Sequence, residues 1–160
     1  MKIEEGSIFG IPLFMEKDDW KLKSKLSEKD LDKDFAFGRV IETSSSVLVE
    51  IFKKIGSAHT DINEIVNSGI MFSPVQIFWD AISKKRWRIV GRTENYDKFK
   101  DSNYNNIEMA FGLDDDFRLR HLSTGKERPI SRDELKKYEF SVVWYPIDLE
   151  KRILNEQLSI

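Results

Sequence analysis

Phe35-Ala36-Phe37-Gly38-Arg39-Val40-Ile41, followed after Ser44-Ser45-Ser46 by Val47-Leu48-Val49-Glu50-Ile51-Phe52, sets the architecture of this chain. Phe37 and Ile41 project to one face of an extended segment, and Ala36, Gly38 and Val40 to the other. Val47, Val49 and Ile51 share one face of the second run. Two alternating runs joined by a short polar turn predict a β-hairpin. Upstream, Ser7 to Phe14 has the same period, with Phe9, Ile11 and Leu13 on one side and Ile8 and Phe14 on the other. Pro12 in that run predicts a sheet edge or a bulge, because proline donates no ladder hydrogen bond.

Between these strands, Glu16 to Asp34 is a polar insertion. It is dense in Lys, Asp, Glu and Ser, with Trp20, Leu22, Leu26 and Leu31 as scattered apolar residues. It reads as a solvated excursion with some helical character.

Downstream, Asp61 to Val66 predicts a short helix capped by Thr60 or Asp61 and followed by Gly69. Ile62, Ile65 and Val66 have the spacing of its buried face. Ile70 to Ile82 is a β-forming apolar run interrupted by Pro74, and Trp87 to Gly91 is a further strand. Thr93 to Asn106 is polar, anchored by Tyr96, Phe99 and Tyr104. Ile107, Met109 and Phe111, then Phe117, Leu119 and His121, predict a second hairpin around Asp114-Asp115-Asp116. Ser131 with Glu134 has capping-box spacing, flanked by Ile130 and Leu135 as a hydrophobic staple, and predicts a helix start. Phe140 to Trp144 reads as a strand. Leu149, Ile153, Leu154 and Leu158 give a terminal amphipathic helix. The sum is a strand-dominated α+β fold of seven or eight strands, a twisted antiparallel sheet or partly closed barrel with a few short helices. With no repeat and no Gly/Ser- or Pro-rich linker, residues 1–160 read as one domain carrying the polar insertion 16–34.

Composition narrows the function classes. The 160 residues are 34% charged and 40% hydrophobic, with 11 Phe, 4 Trp and no Cys. Without cysteine there is neither a disulfide scaffold nor a thiolate metal site. The aromatic content argues against disorder. A net charge of −2 disfavours nucleic acid as a bulk partner. No apolar run reaches the ~18 residues of a membrane span. Met1-Lys2-Ile3-Glu4-Glu5-Gly6 lacks the basic-then-apolar pattern of a signal peptide. These features fit a cytoplasmic location.

A catalytic constellation is not legible. His59 near Asp61 and Glu64 has no metal-ligand spacing and reads as a surface histidine at a helix start. His121 reads as a hydrogen-bonded, half-buried imidazole. There is no G-x-S-x-G nucleophile elbow, and Gly125-Lys126 reads as a turn. Asp114-Asp115-Asp116 lacks the ligand pattern of an EF-hand and reads as a solvated hairpin loop. Lys84-Lys85-Arg86-Trp87-Arg88 interleaves charge with an aromatic as single-strand binders do, yet it reads more simply as a basic turn with Trp87 and Ile89 entering the core. The sequence predicts no enzyme, no metal and no cofactor.

Gly6-Ser7-Ile8-Phe9-Gly10-Ile11-Pro12-Leu13 resembles the opening strand of the immunity protein 26 family of bacterial polymorphic-toxin systems. Phe35 to Ile41 resembles its aromatic-x-aromatic-Gly-Arg strand. Val49-Glu50-Ile51-Phe52 resembles the next strand, and Pro74-Val75 and Trp87-Arg88-Ile89-Val90-Gly91 its later apolar stretch and Trp-x-Ile-x-Gly strand. The resemblance spans Gly6 to Gly91. Two features depart from it: Ser7 stands where an acidic residue often sits, and the 16–34 insertion is long.

The resemblance implies a β-rich protein of the toxin-producing cell that neutralises a cognate toxin domain by tight binding. Its matched residues Gly6, Phe9, Pro12, Phe37, Gly38, Arg39, Trp87 and Gly91 read as structural. Because many nucleic-acid-attacking toxins are basic, Asp114, Asp115 and Asp116, with Glu28, Asp30, Asp32 and Asp34, are the candidate toxin contacts. The alternative is a non-catalytic β-domain that binds a small molecule or nucleic acid, with Trp87 and the basic turn at its mouth. A third reading is an enzyme using Asp, Glu and His59.

Overall fold

The computed structural model describes residues 2–15, 26–44 and 46–158. The first strand, β1 (Ser7–Pro12), is followed by a 3-10 turn at Glu28–Asp32 and the hairpin β2 (Phe35–Glu42) and β3 (Val47–Gly56). A short helix, α1 (Ile62–Asn67), leads to β4 (Ile70–Ile77), α2 (Asp80–Ser83) and β5 (Arg88–Arg92). Then come α3 (Lys98–Asp101), a 3-10 turn at Tyr104–Asn106, and the strands β6 (Glu108–Leu113), β7 (Asp116–His121) and β8 (Glu127–Ile130). A 3-10 turn at Glu134–Lys137, two brief strands, β9 (Glu139–Phe140) and β10 (Val143–Trp144), and the helix α4 (Pro146–Leu158) complete it.

The fold is α+β and strand-dominated, as the alternation predicts, but the strands form two sheets and do not close into a barrel. The larger sheet has the order β10-β4-β3-β2-β1-β5 and the smaller β8-β7-β6-β9. All pairings are antiparallel except β10 with β4 and β6 with β9, which are parallel.

The centre of the larger sheet, β1, β2 and the first half of β3, is buried on both faces, which is why β1 and β2 are apolar at nearly every position rather than half-polar. One face carries Phe9, Ile11, Ala36, Val40, Val49 and Ile51 against Trp87 and the α4 residues Leu149 and Ile153. Phe9 stacks on Trp87 with centroids 5.8 Å apart. The opposite face carries Ile8, Phe35, Phe37 and Phe52 under Ile65 of α1. Further along that face, Ile41 and Leu48 meet Tyr104, Ile107 and Met109. Each such fully buried side chain contributes about 1.5–3 kcal/mol of transfer free energy.

Pro12 sits at the end of β1, opposite Phe35 and beyond the last β5 partner, Arg88 at Gly10. The sheet is locally open there, so the missing N–H costs no ladder bond. Pro74 is accommodated by a register shift between the pairs Val49–Val75 and Ile51–Phe72. Asp61 caps α1 by accepting the N–H groups of Asn63 and Glu64.

Three local expectations change. The apolar run from Ile70 leaves the sheet after Ile77 and turns helical at Asp80. The Ser131–Glu134 box yields one 3-10 turn instead of an α-helix. Ser131 Oγ accepts the Glu134 N–H at 3.2 Å, but the Glu134 carboxylate pairs with Arg128 rather than returning to Ser131. The run Phe140 to Trp144 is split between the two sheets at Ser141. The Ser141 N–H donates to Ala110 O in one sheet, and its hydroxyl donates to Gln76 Oε1 in the other. Of the 16–34 insertion, residues 16–25, with Trp20 and Leu22, lie outside the described residues, as does Ser45 of the first turn.

Candidate functional site

Arg39 and Glu50 are direct cross-strand partners on β2 and β3. Facing residues of a hairpin share a side. Both therefore project from the face that carries Phe52 and Leu48, between the apolar cluster under α1 and the one under Tyr104. The loop 93–106 closes over them. Arg39 is 2% exposed and Glu50 4%.

Arg39 Nη2 donates to Glu50 Oε1 at 3.2 Å, to the Asp101 carbonyl at 3.0 Å and to Ser102 Oγ at 3.3 Å. Nη1 donates to Thr93 Oγ1 at 3.2 Å. The guanidinium carbon lies 5.3 Å from the Phe52 ring centre and 4.9 Å from that of Tyr96, a cation between two aromatic rings. The Tyr96 and Ser102 hydroxyls are 2.5 Å apart. Burial pushes the Tyr96 hydroxyl up to about 12.

Burial also raises the Glu50 carboxyl above its usual 4.5, with the Arg39 charge and the nearby Ser102 hydroxyl opposing. Glu50 Oε2 and Arg39 Nε are both fully enclosed and neither makes a hydrogen bond of normal geometry. Glu50 lines a cleft of about 330 Å³ that opens between β4, the α3-to-β6 loop and β9.

A second buried charge pair ties α4 to the larger sheet. Arg86 Nε and Nη2 donate to Glu150 Oε1 and Oε2 at 3.0 and 2.7 Å, and Glu150 Oε1 also accepts the Trp87 indole N–H at 2.8 Å. Arg86 reaches the Met15 carbonyl as well. Of the basic run 84–88, Arg86 is thus interior, and the turn is made at Lys85, which has φ 64°. The Trp87 ring is 0% exposed, so neither of its faces is available to stack a base.

The proposed contact residues fall in two places. Glu28, Asp32 and Asp34 are exposed around the 3-10 turn before β2. Asp30 there is engaged locally: it accepts the Ser27 N–H and Lys33 Nζ, each at 2.8 Å. The Lys33 bond, then the Ser27 bonds, hold its carboxyl down at about 2. Asp114, Asp115 and Asp116 are exposed at the β6–β7 turn of the other sheet, with Asp115 paired to Arg132 at 2.6 Å. The first group precedes β2 of the larger sheet, and the second lies at a turn of the smaller sheet.

His59 is exposed, with Nε2 3.8 Å from Asp32 Oδ1. His121 Nδ1 lies 3.0 Å from Thr124 Oγ1 and 3.2 Å from Ser123 Oγ. Among the described residues, no three His, Asp or Glu side chains converge as a metal site, and no helix is long and apolar enough to cross a membrane.

Among the family-motif residues, Phe9, Phe37, Arg39 and Trp87 are buried. Gly38 lies under the Phe9 ring, where a Cβ would come within 2.4 Å of Phe9 Cζ. Gly6 has φ +89° and abuts Tyr96, and Gly91 abuts Ile62.

The family model described as immunity protein 26 matches residues 4–116, more than half of the chain. The chain belongs to the immunity protein 26 family. No curated protein and no solved structure matches it. The family match takes in the Arg39–Glu50 pair and five of the six strands of the larger sheet. Glu150 and the α4 core residues lie outside it, although they complete the packing of the matched part.

Sequence reasoning quoted Glu50 only as part of a strand and missed its role as partner of Arg39. The available signal was a carboxylate interrupting the apolar run Val47–Phe52, directly opposite an arginine in the hairpin register. Glu150 was also missed. Its signal was its place beside Leu149, on the apolar edge of an amphipathic helix.

Proposed function

We propose that this protein is a non-catalytic immunity protein that binds a cognate toxin domain and neutralises it, protecting the bacterial cell that makes both. Membership of the immunity protein 26 family carries this reading. Such systems serve competition between neighbouring cells, and the immunity partner acts in the cytoplasm of the producer. The whole chain, 1–160, works as one unit in this reading, because α4 and β10 fill the core and edge of the sheet that the family match covers.

The exposed carboxylates are the proposed toxin contacts. Asp114, Asp116, Glu28, Asp32 and Asp34 offer negative charge to a basic partner, while Asp115 and Asp30 are already held by Arg132 and Lys33. A specific complex buries about 1,600 Å² in total, and its charged rim speeds encounter. Burial of Trp87 removes the feature that favoured nucleic-acid binding.

Co-expression with the toxin domain encoded beside this gene tests the reading. Rescue of growth and a co-purifying pair are expected. Loss of growth with the intact protein present, and no complex, overturns it.

A further inference from the structure

We infer that the open edge of β10, with the groove between it and α4, receives an extended strand of the bound toxin, which adds to the larger sheet. This rests on the toxin-binding reading above. β10 is the last strand at its end of that sheet and pairs only with β4. Along a strand, residues whose N–H and C=O bond to one neighbour alternate with residues whose groups face the other way. Trp144 O accepts the Phe78 N–H, so Trp144 is the residue that bonds inward to β4. Val143 therefore turns its N–H and C=O to the open side, and among the described residues neither group has a partner there. Such a row of free backbone groups is a template for one more strand.

Charged residues and proline normally guard a sheet edge. The other edge strands have them: Arg88 and Arg92 on β5, Glu127, Arg128 and Pro129 on β8, and Glu139 on β9. Phe140 to Tyr145 has neither. Val142 is 46% exposed and Tyr145 63%, and Tyr145 stacks on Phe78, itself 40% exposed, with ring centres 4.9 Å apart. Residues 142–145 line a groove of about 670 Å³ together with Asp148, Lys151 and Glu156 of α4. Arg152, also in the groove, is held by Glu139. Two carboxylates against one lysine suit an apolar strand that carries a lysine or arginine. A second copy of this chain offers only Val143 at its own edge, too short a ladder to fill the groove. Residues 142–156 also lie beyond the family match, 4–116, where a contact particular to one toxin belongs.

The test mixes the full chain with the toxin domain encoded beside its gene and reads amide hydrogen exchange across residues 140–146. Protection of the Val143 amide in the complex is expected. Val143→Pro removes the outward N–H and leaves the bonds to β4 in place, and it should weaken binding about tenfold by calorimetric titration. A thermal melt shows whether that variant keeps its fold. Tyr145→Ala, at an exposed position, serves as the second variant, with a loss of about fivefold expected.

An unprotected Val143 amide in a formed complex overturns the strand addition and leaves the toxin reading standing, as does unchanged affinity in both variants. No complex with the unaltered chain sinks the toxin reading and this inference with it. A dimer of the free chain that Val143→Pro splits gives the edge to a second copy, and it too overturns the inference.

Discussion

Arg86 and Glu150 lie 64 positions apart and meet in the core through two charge-assisted hydrogen bonds, each side chain 1% exposed. The pair joins the start of β5 to α4, and the Trp87 indole shares the same carboxylate. A buried ion pair is weak as a source of stability but costly to break from one side.

Glu150→Gln is therefore expected to destabilise the fold by about 3–5 kcal/mol, since it leaves a guanidinium buried against a neutral amide. The double variant Arg86→Met, Glu150→Leu should recover much of that loss. Urea unfolding of the three proteins checks it. Equal stability of Glu150→Gln and the unaltered protein refutes the assignment.

Truncation after residue 116, the end of the family match, is expected to abolish cooperative folding. It removes Leu149 and Ile153 from the main core and takes Glu150 from Arg86. Circular dichroism and a thermal melt read the outcome, and a sharp transition in the truncated chain contradicts it.

Gly38→Ala is expected to cost about 1–3 kcal/mol, the usual penalty of overpacking. The new methyl meets Phe9 Cζ at 2.4 Å and Ile51 Cδ1 at 3.0 Å, and the Phe9 ring cannot swing away because it is stacked on Trp87. For a chain of this length each kcal/mol lowers the melting temperature by roughly 2–4 °C. An unchanged melting temperature argues against this packing.

Glu50 supplies a pH signature. Burial raises its carboxyl above 4.5, with Asp101 adding to the rise and Arg39 opposing it, so the folded protein holds this proton more tightly than the unfolded chain does. Its contribution to stability is fully present below 4.5 and is lost as pH rises through the higher folded value. Glu50→Gln does not titrate. The stability difference between the two proteins should therefore shift against the unaltered chain as pH climbs from below 4.5 towards neutrality. Urea unfolding across that range measures the slope, and a flat difference rejects it.

Replacing Asp114, Asp115 and Asp116 together by serine is expected to slow association with the toxin several-fold at low salt, with the gap closing as salt screens the charges. Stopped-flow binding at several ionic strengths checks it. An unchanged rate removes this turn from the contact surface.

Much of the fold was legible because it is written in local periods. The β2–β3 hairpin follows from the alternation of Val47, Val49 and Ile51. The α1 boundary follows from the Asp61 cap, and the β6–β7 turn from three aspartates between apolar runs. What was not legible depends on partners distant in sequence. Phe140 to Trp144 looks like one strand until Ser141 is seen to bond both Ala110 and Gln76. Arg86 looks like a solvated turn residue until Glu150 arrives beside it. The Ser131–Glu134 signal lost its second half because Arg128 holds the glutamate. The same limit hid the candidate site: neither the spare oxygen of Glu50 nor its cleft exists until the loop 93–106 folds over β2 and β3.

The chain order of the larger sheet has a consequence for biosynthesis. β1 to β5 are made early, yet the strand that caps one edge and the helix that fills one face come from 143–158. The growing polypeptide must carry the apolar surface of Phe9, Ile11, Val49 and Ile51 uncovered until that late segment has left the ribosome. Under the immunity function proposed above, an antidote of this build becomes competent only when its last stretch has docked.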